Sequence, residues 1–391
     1  MQRRRFITRT LSASLTGAAL ASAVLSNQRA VAAVDALSDA AAQTAAADSA
    51  AATSAGSMAQ ARTPISPLLP APLRRGDTVA LIAPATAAFQ QDDLDIARES
   101  LEALGLRVRI GAHARDRHGS LGGLDADRAA DLNASFADPE IRGIFPVRGG
   151  WGSARLLPLL DYDQIRANPK VLLGYSDITA LLNGIHARTG LVTFHGPNAG
   201  GRWDEYSLDI ARRVLFDGEA LRLTNPRGSR DENVLTETEF RRITITPGRA
   251  SGRLLGGNLS VLTTLLGSPW MPDFTDAILF LEDVGENWYR IDRMLTALRL
   301  AGVLDTLAGF VFGSCAECEP GAGFASLTPE EIFADHIGSM GIPAWRGAMI
   351  GHGQPQWTLP VGTSVTIDAD AGTLLMNTPG VAKGSASKGN G

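Results

Sequence analysis

A serine follows a short apolar segment in the stretch VLLGYSDITALLNGIH, residues 171–186. The apolar run ends at Gly174, Ser176 comes two residues later, and an amphipathic segment begins there. A serine on a tight strand-to-helix turn exposes its hydroxyl above the sheet, as the nucleophile of α/β hydrolases does. A helix cap at Ser176 or Asp177 is the alternative interpretation. The glycine usual two residues after such a serine is replaced by Ile178, so the local pattern leaves both open.

A serine nucleophile needs a base within hydrogen-bond reach and a carboxylate that orients the base. Among six histidines, His352 in the motif GHG is the best candidate base, because a glycine on each side suits a backbone bent to aim one ring. Glu282 follows the apolar run ILFL. A carboxylate at the end of a buried strand costs free energy unless it is paired or used. The order Ser176, Glu282, His352 is the Ser-acid-His order of other α/β hydrolases.

Both partners also have structural alternatives. His352 could be an ordinary turn histidine, and His195 in TFHGP is a second candidate base. Glu282 could form a buried ion pair with Arg290 or Arg293.

An acyl-transfer serine also requires an oxyanion hole, which two backbone N–H groups often form. The N–H of Asp177, directly after the serine, is one candidate donor. Gly149 or Gly150 in RGGWG, residues 148–152, is the other, because glycine lets the backbone approach a substrate closely. The same motif lacks the spacing and the lysine of a phosphate-binding loop. Arg148 immediately precedes these glycines and is a candidate for binding a terminal carboxylate.

The elements that must position these residues alternate along the first part of the chain. Strand-like segments occupy residues 77–85, 107–110, 143–150 and 171–174, and helical periodicity covers residues 92–105 and 124–139. This alternation predicts an α/β fold with a parallel, doubly wound sheet. Ligands of such sheets bind beyond the carboxyl ends of the strands. Both RGGWG and GYSD follow such ends.

A second set of elements starts near Arg249. We predict a glycine turn opening a helix at 252–267, a helix at 290–302 and strands at 277–286, 309–315 and 363–368. The densest cluster of turn residues and charges, Asn225–Arg249, is the predicted boundary. The predicted domains are therefore a nucleophile domain over 67–230 and a C-terminal domain over 245–380.

Composition excludes several classes of protein. The 391 residues carry a formal net charge of −5 and are 45% hydrophobic, which is enough for a sizeable core. An acidic balance gives no support for nucleic-acid binding, which requires clustered positive charge. The body of the chain has no apolar run long enough for a membrane span.

The first 33 residues have the composition of a secretory leader. They have a basic start, a mildly apolar centre and small residues before Ala32 and Ala33. Arg3, Arg4 and Arg5 before Phe6 fit a twin-arginine signal. Residues 34–66, which are rich in Ala, Ser and Thr, are predicted to form a disordered linker. Residues 381–391 are predicted to form a flexible tail.

The chain has only two cysteines, Cys315 and Cys318, in the motif CAEC. In an oxidising compartment they could form a disulfide or stay free, and the sequence leaves that open. A zinc site needs two further ligands, and no histidine pair at ligand spacing lies nearby. We therefore expect no metal and no cofactor.

Five motifs together resemble the LD-carboxypeptidase family, the S66 serine peptidases. They are FPVRGGWGSARLLPLLDYDQI, GYSDITALLNGIHARTGLVTFHGP, GRLLGGNLSVL, LFLEDVGENWYRIDRML and GHGQPQWTLPVG. The resemblance covers about residues 74–376. It implies a Ser-Glu-His triad at Ser176, Glu282 and His352, an N-terminal domain carrying the serine and a smaller C-terminal α/β domain carrying the other two. It also implies a homodimer that uses no metal.

The resemblance further implies a reaction, the removal of the terminal D-alanine from murein tetrapeptides by hydrolysis of an L-D bond. Relatives that cleave microcin-type peptidyl adenylates provide an alternative. Their substrates call for an aromatic surface, which Trp151, Trp288 or Trp357 could supply. A non-catalytic murein-binding protein is the third hypothesis, and retention of all three triad residues argues against it. An exported enzyme would meet murein in the periplasm.

We expect export to require the arginines of the leader. Replacing Arg3, Arg4 and Arg5 with lysine keeps the charge but removes the guanidinium groups, and should leave precursor in the cytoplasm. Cell fractionation followed by immunoblotting measures this, with Arg9→Lys as the matched control. An unchanged periplasmic yield in the triple variant would contradict the twin-arginine route.

Overall fold

The computed structural model describes residues 66–225, 240–321 and 326–383. The predicted leader, nearly all of the predicted linker and most of the predicted boundary segment lie outside these ranges. Strands of the described residues are β1 (Thr78–Ile82), β2 (Arg107–Ile110), β3 (Ile141–Pro146), β4 (Val171–Gly174), β5 (Thr193–His195), β6 (Arg222–Thr224), β7 (Ile243–Thr246), β8 (Arg249–Asn258), β9 (Ala277–Val284), β10 (Gly309–Ala316), β11 (Ala344–Arg346), β12 (Leu359–Val361), β13 (Ser364–Asp368) and β14 (Thr373–Met376). Helices are α1 (Gln91–Ala103), α2 (Asp125–Ala137), α3 (Tyr162–Ala167), α4 (Thr179–Thr189), α5 (Glu205–Leu215), α6 (Leu259–Thr263), α7 (Trp288–Leu300) and α8 (Pro329–His336).

The first sheet is built largely from the N-terminal half of the chain. Its six strands run in the order β12-β5-β4-β3-β1-β2. The five strands from the N-terminal half are parallel, and β12 pairs antiparallel with β5 at one edge. All four residues of β4 are buried, as expected for a strand covered by helices on both faces. The α/β fold class predicted from the alternation is confirmed.

The second sheet is mixed and has eight strands in the order β6-β14-β13-β8-β9-β10-β11-β7. Its centre, β8 to β11, is parallel, whereas the flanking strands pair antiparallel. β9 is buried over seven of its eight residues. Two acidic side chains near its carboxyl end, Glu282 and Asp283, are therefore buried.

One predicted element is wrong. Residues 252–267 were expected to form a glycine turn and a helix, but residues 249–258 form the ten-residue strand β8, and only Leu259–Thr263 are helical. Strand β8 pairs with β9 on one side and with β13 on the other. These two neighbours supply the ladder hydrogen bonds that override the low strand propensity of glycine.

The sheets do not divide the chain at one point. β6, which lies inside the predicted nucleophile domain, pairs with β14 of the second sheet, and β12 crosses back into the first sheet. Residues 384–391 of the predicted tail lie outside the described ranges. At its predicted start, Val381 is 1% exposed and Ala382 N–H donates to the Pro70 carbonyl at 2.8 Å. The domain limits themselves stay a prediction. None of the described helices has the length and apolarity that crossing a membrane demands.

Buried hydrogen bonds join helix α4, which follows Ser176, to strand β8 of the second sheet. The backbone N–H of Asn258 donates to Thr179 Oγ1 at 2.9 Å, and Asn183 Nδ2 donates to the Gly256 carbonyl at 2.8 Å. Thr179 and Asn183 are fully buried. These bonds fix the start of the helix against the second sheet.

We expect Thr179→Val to reduce the free energy of unfolding by about 1–3 kcal/mol, because the isosteric side chain leaves the buried Asn258 N–H without an acceptor. Denaturant unfolding measures this. Thr264→Val is the matched control, since the Thr264 hydroxyl is exposed and bonds only within its own turn. Equal losses of unfolding free energy in the two variants would show that the buried hydrogen bond from Asn258 to Thr179 stabilises the protein no more than the exposed bond of Thr264.

Candidate active site

Ser176 lies on a sharp turn between β4 and α4. Residues Ser176–Ile178 form one 3-10 turn, and Ser176 has a φ of 62°, in the left-handed region. A non-glycine residue costs about 1–3 kcal/mol there, and such strain is typical of the turn that exposes a nucleophilic serine. The Asp177 carboxylate accepts the Ser153 N–H at 2.7 Å, and the Asp177 carbonyl accepts the Ser153 hydroxyl at 2.6 Å. These hydrogen bonds fix the backbone of the turn next to Ser176, its strained residue.

The structure brings Ser176, Glu282 and His352 together. His352 Nε2 lies 3.0 Å from Ser176 Oγ, and His352 Nδ1 lies 2.7 Å from Glu282 Oε2. Glu282 is fully buried, and the His352 side chain is 18% exposed. This is the hydrogen-bonded order nucleophile, base, orienting carboxylate that activates a serine.

The glycine before His352 is required by this arrangement. Gly351 has a φ of 104°, and a Cβ there would lie 2.4 Å from Glu282 Oε2. Only glycine lets the chain pass this close to the carboxylate while it turns to aim the imidazole.

The alternative of an ion pair between Glu282 and a neighbouring arginine is not what the structure shows. Arg290 lies 3.5 Å from Glu286 instead, and Arg293 lies over the Tyr289 ring. The neighbouring acid, Asp283, accepts hydrogen bonds from Asn258 Nδ2 at 3.0 Å and from the Ser260 N–H at 2.9 Å. Burial, together with the charge of Glu282, raises the pKa of Asp283 to about 6.

Opposing effects act on the protonation of His352. Burial disfavours the imidazolium and lowers its pKa. The hydrogen bond and the charge of Glu282 act the other way, and the charges of Asp283 and Glu317 add to them. The attraction wins, so the pKa of His352 is raised above the usual value of a histidine.

The glycine loop after β3 lies directly against Ser176. A Cβ on Gly149 would lie 3.1 Å from Ser176 Oγ and 3.3 Å from the Asp177 nitrogen, so this glycine backbone and the Asp177 N–H border the same space. Thr86 Oγ1 accepts the Trp151 N–H at 3.2 Å and fixes the loop from the other side. The arrangement suits two N–H groups converging on one oxyanion.

A cavity of about 350 Å³ opens at Ser176 and His352. The predicted loop residues Arg148, Gly149 and Gly150 line it. The Arg148 side chain is 47% exposed and lies 3.8 Å from Asp93, a long contact that leaves its remaining donors available. The cavity is therefore small, and its wall carries the cation of Arg148 beside the carboxylate of Asp93.

A second and larger cavity, of about 780 Å³, adjoins His352 on its other side. Its wall includes the aromatic side chains Phe240 and Trp288, the cations Arg202 and Arg241, and the carboxylate of Glu317. His352 lies in the wall of both cavities. A substrate whose reacting bond is at Ser176 can extend in both directions.

Some candidate residues lie elsewhere. Trp151 is 62% exposed, donates to Ser120 Oγ at 2.9 Å and is absent from the walls of both cavities. Trp357 is fully buried and presents no surface to a ligand. His195, the second candidate base, ends strand β5 with no exposed surface, and burial lowers its pKa to about 4. Of the three tryptophans only Trp288 reaches a cavity.

Two residues that shape the site are not among those predicted from the sequence. Asn198 is 4% exposed, lines the smaller cavity, and its Oδ1 accepts the Tyr175 N–H at 3.3 Å. The Tyr175 ring lies 4.9 Å from the His352 ring, centroid to centroid. Asn198 could have been found, because it follows the carboxyl end of β5 at the same edge of the sheet as GYSD.

The two cysteines form a disulfide, Cys315–Cys318, which resolves the alternative that the sequence left open. Cys315 lines the larger cavity. One group of side chains in the described ranges is close enough to approach a cation, namely His113, Asp116 and Asp127. The first two lie on a loop and the third in helix α2, and none of them lines either cavity.

The fold and site define a two-sheet α/β protein with a hydrogen-bonded Ser-His-Glu arrangement at its centre. Residues 79–196 match the model of the LD-carboxypeptidase N-terminal domain, and residues 251–367 match that of the C-terminal domain. The chain is 39% identical over 318 residues to a probable murein peptide carboxypeptidase of Bacillus subtilis, covering 81% of this chain and 96% of that one. The chain therefore belongs to the LD-carboxypeptidase family.

Solved structures agree with this assignment. The microcin C7 self-immunity protein MccF, in complex with glutamyl sulfamoyl guanosine, superposes with a TM-score of 0.73 at 30% identity, covering 81% of this chain and all of that one. A muramoyltetrapeptide carboxypeptidase from Oxalobacter formigenes gives a TM-score of 0.65 at 25% identity, covering 77% of this chain and 99% of that one.

We expect kcat/KM to fall as pH drops through the pKa of His352, because only the neutral imidazole can accept the serine proton. Since that pKa is raised, the fall should begin at a higher pH than for an ordinary histidine. Glu317→Gln removes one of the charges that raise it, so the acidic limb should move to lower pH by a few tenths of a unit. A pH–rate profile with Glu319→Gln as the matched control measures the shift. An acidic limb that moves equally in both variants would contradict the assignment.

Proposed function

We propose that this protein is a serine-type LD-carboxypeptidase that hydrolyses the L-D peptide bond before the terminal D-alanine of murein tetrapeptides. The observation that carries the proposal is the hydrogen-bonded chain from Ser176 through His352 to Glu282, set beside a small cavity with one cation. The murein carboxypeptidase names of its relatives support the choice of substrate class.

The geometry supports an acyl-enzyme mechanism. His352 Nε2 takes the proton of the Ser176 hydroxyl as Oγ attacks the carbonyl carbon of the scissile bond. The N–H of Asp177 and that of Gly149 or Gly150 stabilise the oxyanion. His352 then gives its proton to the leaving amine of D-alanine. Water, deprotonated by the same ring, hydrolyses the ester and restores Ser176.

Throughout the cycle Glu282 acts through His352 rather than on the substrate. Its bond to Nδ1 fixes the tautomer whose Nε2 faces the serine, and its charge stabilises the imidazolium that forms. Because Glu282 is fully buried, this attraction is weakly screened.

Arg148 is proposed to bind the terminal carboxylate. A carboxypeptidase must distinguish a free chain end, and a guanidinium pairs with a carboxylate through two hydrogen bonds. Arg148 is the one cation in the wall of the small cavity, among the residues that the structure describes. The leaving D-alanine would therefore occupy this cavity.

The alternative substrate class is a peptidyl adenylate. The relative named microcin C7 self-immunity protein MccF shares 34% identity over 326 residues with this chain. Trp288 in the larger cavity could stack on a base. Export argues against this alternative, because such toxins act inside cells.

Export to the periplasm by the twin-arginine route is proposed on the leader sequence, and a homodimer on the family resemblance. A folded chain with an intact disulfide suits an oxidising compartment. Murein or released muropeptides are the substrates available there.

The test is a panel of purified peptides. A tetrapeptide ending in D-Ala should be hydrolysed, whereas peptides ending in L-Ala or in a C-terminal amide should be cut far more slowly. Ser176→Ala should lose at least about 10³-fold in kcat while remaining folded, since loss of a triad member typically costs orders of magnitude. Chromatography of released alanine measures both.

Near-native turnover by Ser176→Ala would refute the proposed nucleophile. Equal rates on the amide and the free acid would exclude a carboxypeptidase. In that case hydrolysis of an aminoacyl adenylate is the assay that distinguishes the alternative.

A further inference from the structure

Asn198 is a buried polar side chain that lines the small cavity and that the proposed mechanism does not use. Its Oδ1 accepts the Tyr175 N–H at 3.3 Å. Because a backbone N–H only donates, this bond fixes which end of the amide is the oxygen and which is the NH2 group. Among the described residues Nδ2 has no hydrogen-bond partner, and it keeps accessible surface. The side chain therefore has an unused donor at the wall of the cavity.

Hydrogen bonds on two sides place Asn198 between the cation of the cavity and the nucleophile. The two residues after Asn198 donate their backbone N–H groups to the carbonyls of Pro146 and Val147, at 3.0 Å and 2.9 Å. Val147 directly precedes Arg148 in the chain. On the other side, the bond from the Tyr175 N–H ties the Asn198 amide to the residue before the reactive serine.

The amide of Asn198 is held in place before any substrate binds. A Cβ on Gly174 would lie 2.8 Å from Asn198 Oδ1, so the side chain packs against the backbone at the end of β4. Asn198 is only 4% exposed. A donor that is already ordered loses little conformational entropy when it binds a ligand, which favours both affinity and discrimination.

The charges of the small cavity leave a role for a neutral donor. Arg148 lies 3.8 Å from Asp93, which also lines the cavity, so the guanidinium is partly neutralised by a carboxylate of the protein. The N–H groups of Gly200 and Gly201, in the same wall, donate to carbonyls of the protein, both at 2.9 Å. An anion beside Arg148 therefore needs a further donor, and hydrogen bonds to an ionised acceptor are the strong ones.

We propose that Asn198 is a specificity-determining residue whose Nδ2 donates a hydrogen bond to the terminal carboxylate of the leaving residue, beside Arg148. The bond from the Tyr175 N–H to Oδ1 keeps the NH2 group directed at that carboxylate. This inference rests on the proposed function and deepens it, because it assigns a second residue, on a different loop from Arg148, to recognition of the free chain end.

Asn198→Asp is the decisive variant, because the aspartate keeps an oxygen for the Tyr175 N–H and replaces the NH2 donor with an anionic oxygen. The test compares kcat/KM on a tetrapeptide ending in D-Ala with that on the same peptide ending in D-alaninamide. We expect the acid-to-amide ratio to fall about ten- to hundredfold, the range for a hydrogen bond to a charged group. Any effect of the new charge on the pKa of His352 acts on both peptides and cancels in the ratio.

Asn198→Ala should lower the ratio less, because it removes the donor without adding a repelling charge. Asn133→Asp is the matched control and should keep the wild-type ratio. Its Oδ1 likewise accepts a backbone N–H, that of Asp161 at 3.0 Å, but Asn133 lines neither cavity. Rates are measured with enzyme in excess, so that slow hydrolysis of the amide is also detected, and circular dichroism verifies that each variant is folded.

The outcomes separate this inference from the proposed function. An unchanged ratio in Asn198→Asp overturns the role of Asn198. Equal losses on the acid and on the amide also overturn it, because they would assign Asn198 to the oxyanion or to the shape of the site rather than to the carboxylate. Failure of the wild-type protein to hydrolyse the D-Ala peptide, or equal wild-type rates on both peptides, overturns the proposed function itself.

Discussion

The hydrogen bond between Ser176 and His352 joins two residues that lie 176 positions apart in the chain. Ser176 follows a strand of the first sheet, and Glu282, which contacts His352 Nδ1, lies near the carboxyl end of a strand of the second. Because a serine is activated only within hydrogen-bond reach of its base, the two sheets must keep a fixed relative position. The buried hydrogen bonds between helix α4, at Thr179 and Asn183, and strand β8 supply that constraint in the first two turns after Ser176.

The second requirement is a buried carboxylate, that of Glu282. Glu282 has no exposed surface, and its stabilising partner is the imidazole of His352. Burial by itself would favour the neutral imidazole of His352, but the short contact with Glu282 outweighs burial and raises the pKa of His352. Asp283 beside it is stabilised by hydrogen bonds from Asn258 and Ser260 instead, so that two adjacent acids have different environments. One strand thus carries, at adjacent positions, an acid that contacts the imidazole and an acid that accepts structural hydrogen bonds.

The two cavities adjoin His352 and differ in the charged side chains of their walls. Both include His352 in their walls. The smaller one also carries Arg148 and Asp93, whereas the larger one carries three arginines and one carboxylate, Arg202, Arg241, Arg346 and Glu317. Each wall therefore has charges of both signs, and cations are in excess in the larger cavity. Charged groups at a binding site fix the orientation of a ligand more than they add affinity.

Sequence by itself determined the strands at 107–110 and 171–174, the α/β class and the order of the three site residues, because apolar periodicity and turn residues act over a few neighbouring positions. Only the tertiary structure decided that the glycine-rich segment at 249–258 is a strand, since its hydrogen-bond partners lie on distant strands. The placement of Asn198 and Glu317 was decided in the same way. Asn198 had a signal in its place after a strand end, whereas Glu317 had none, and each lines a cavity through side chains that only the fold brings to it.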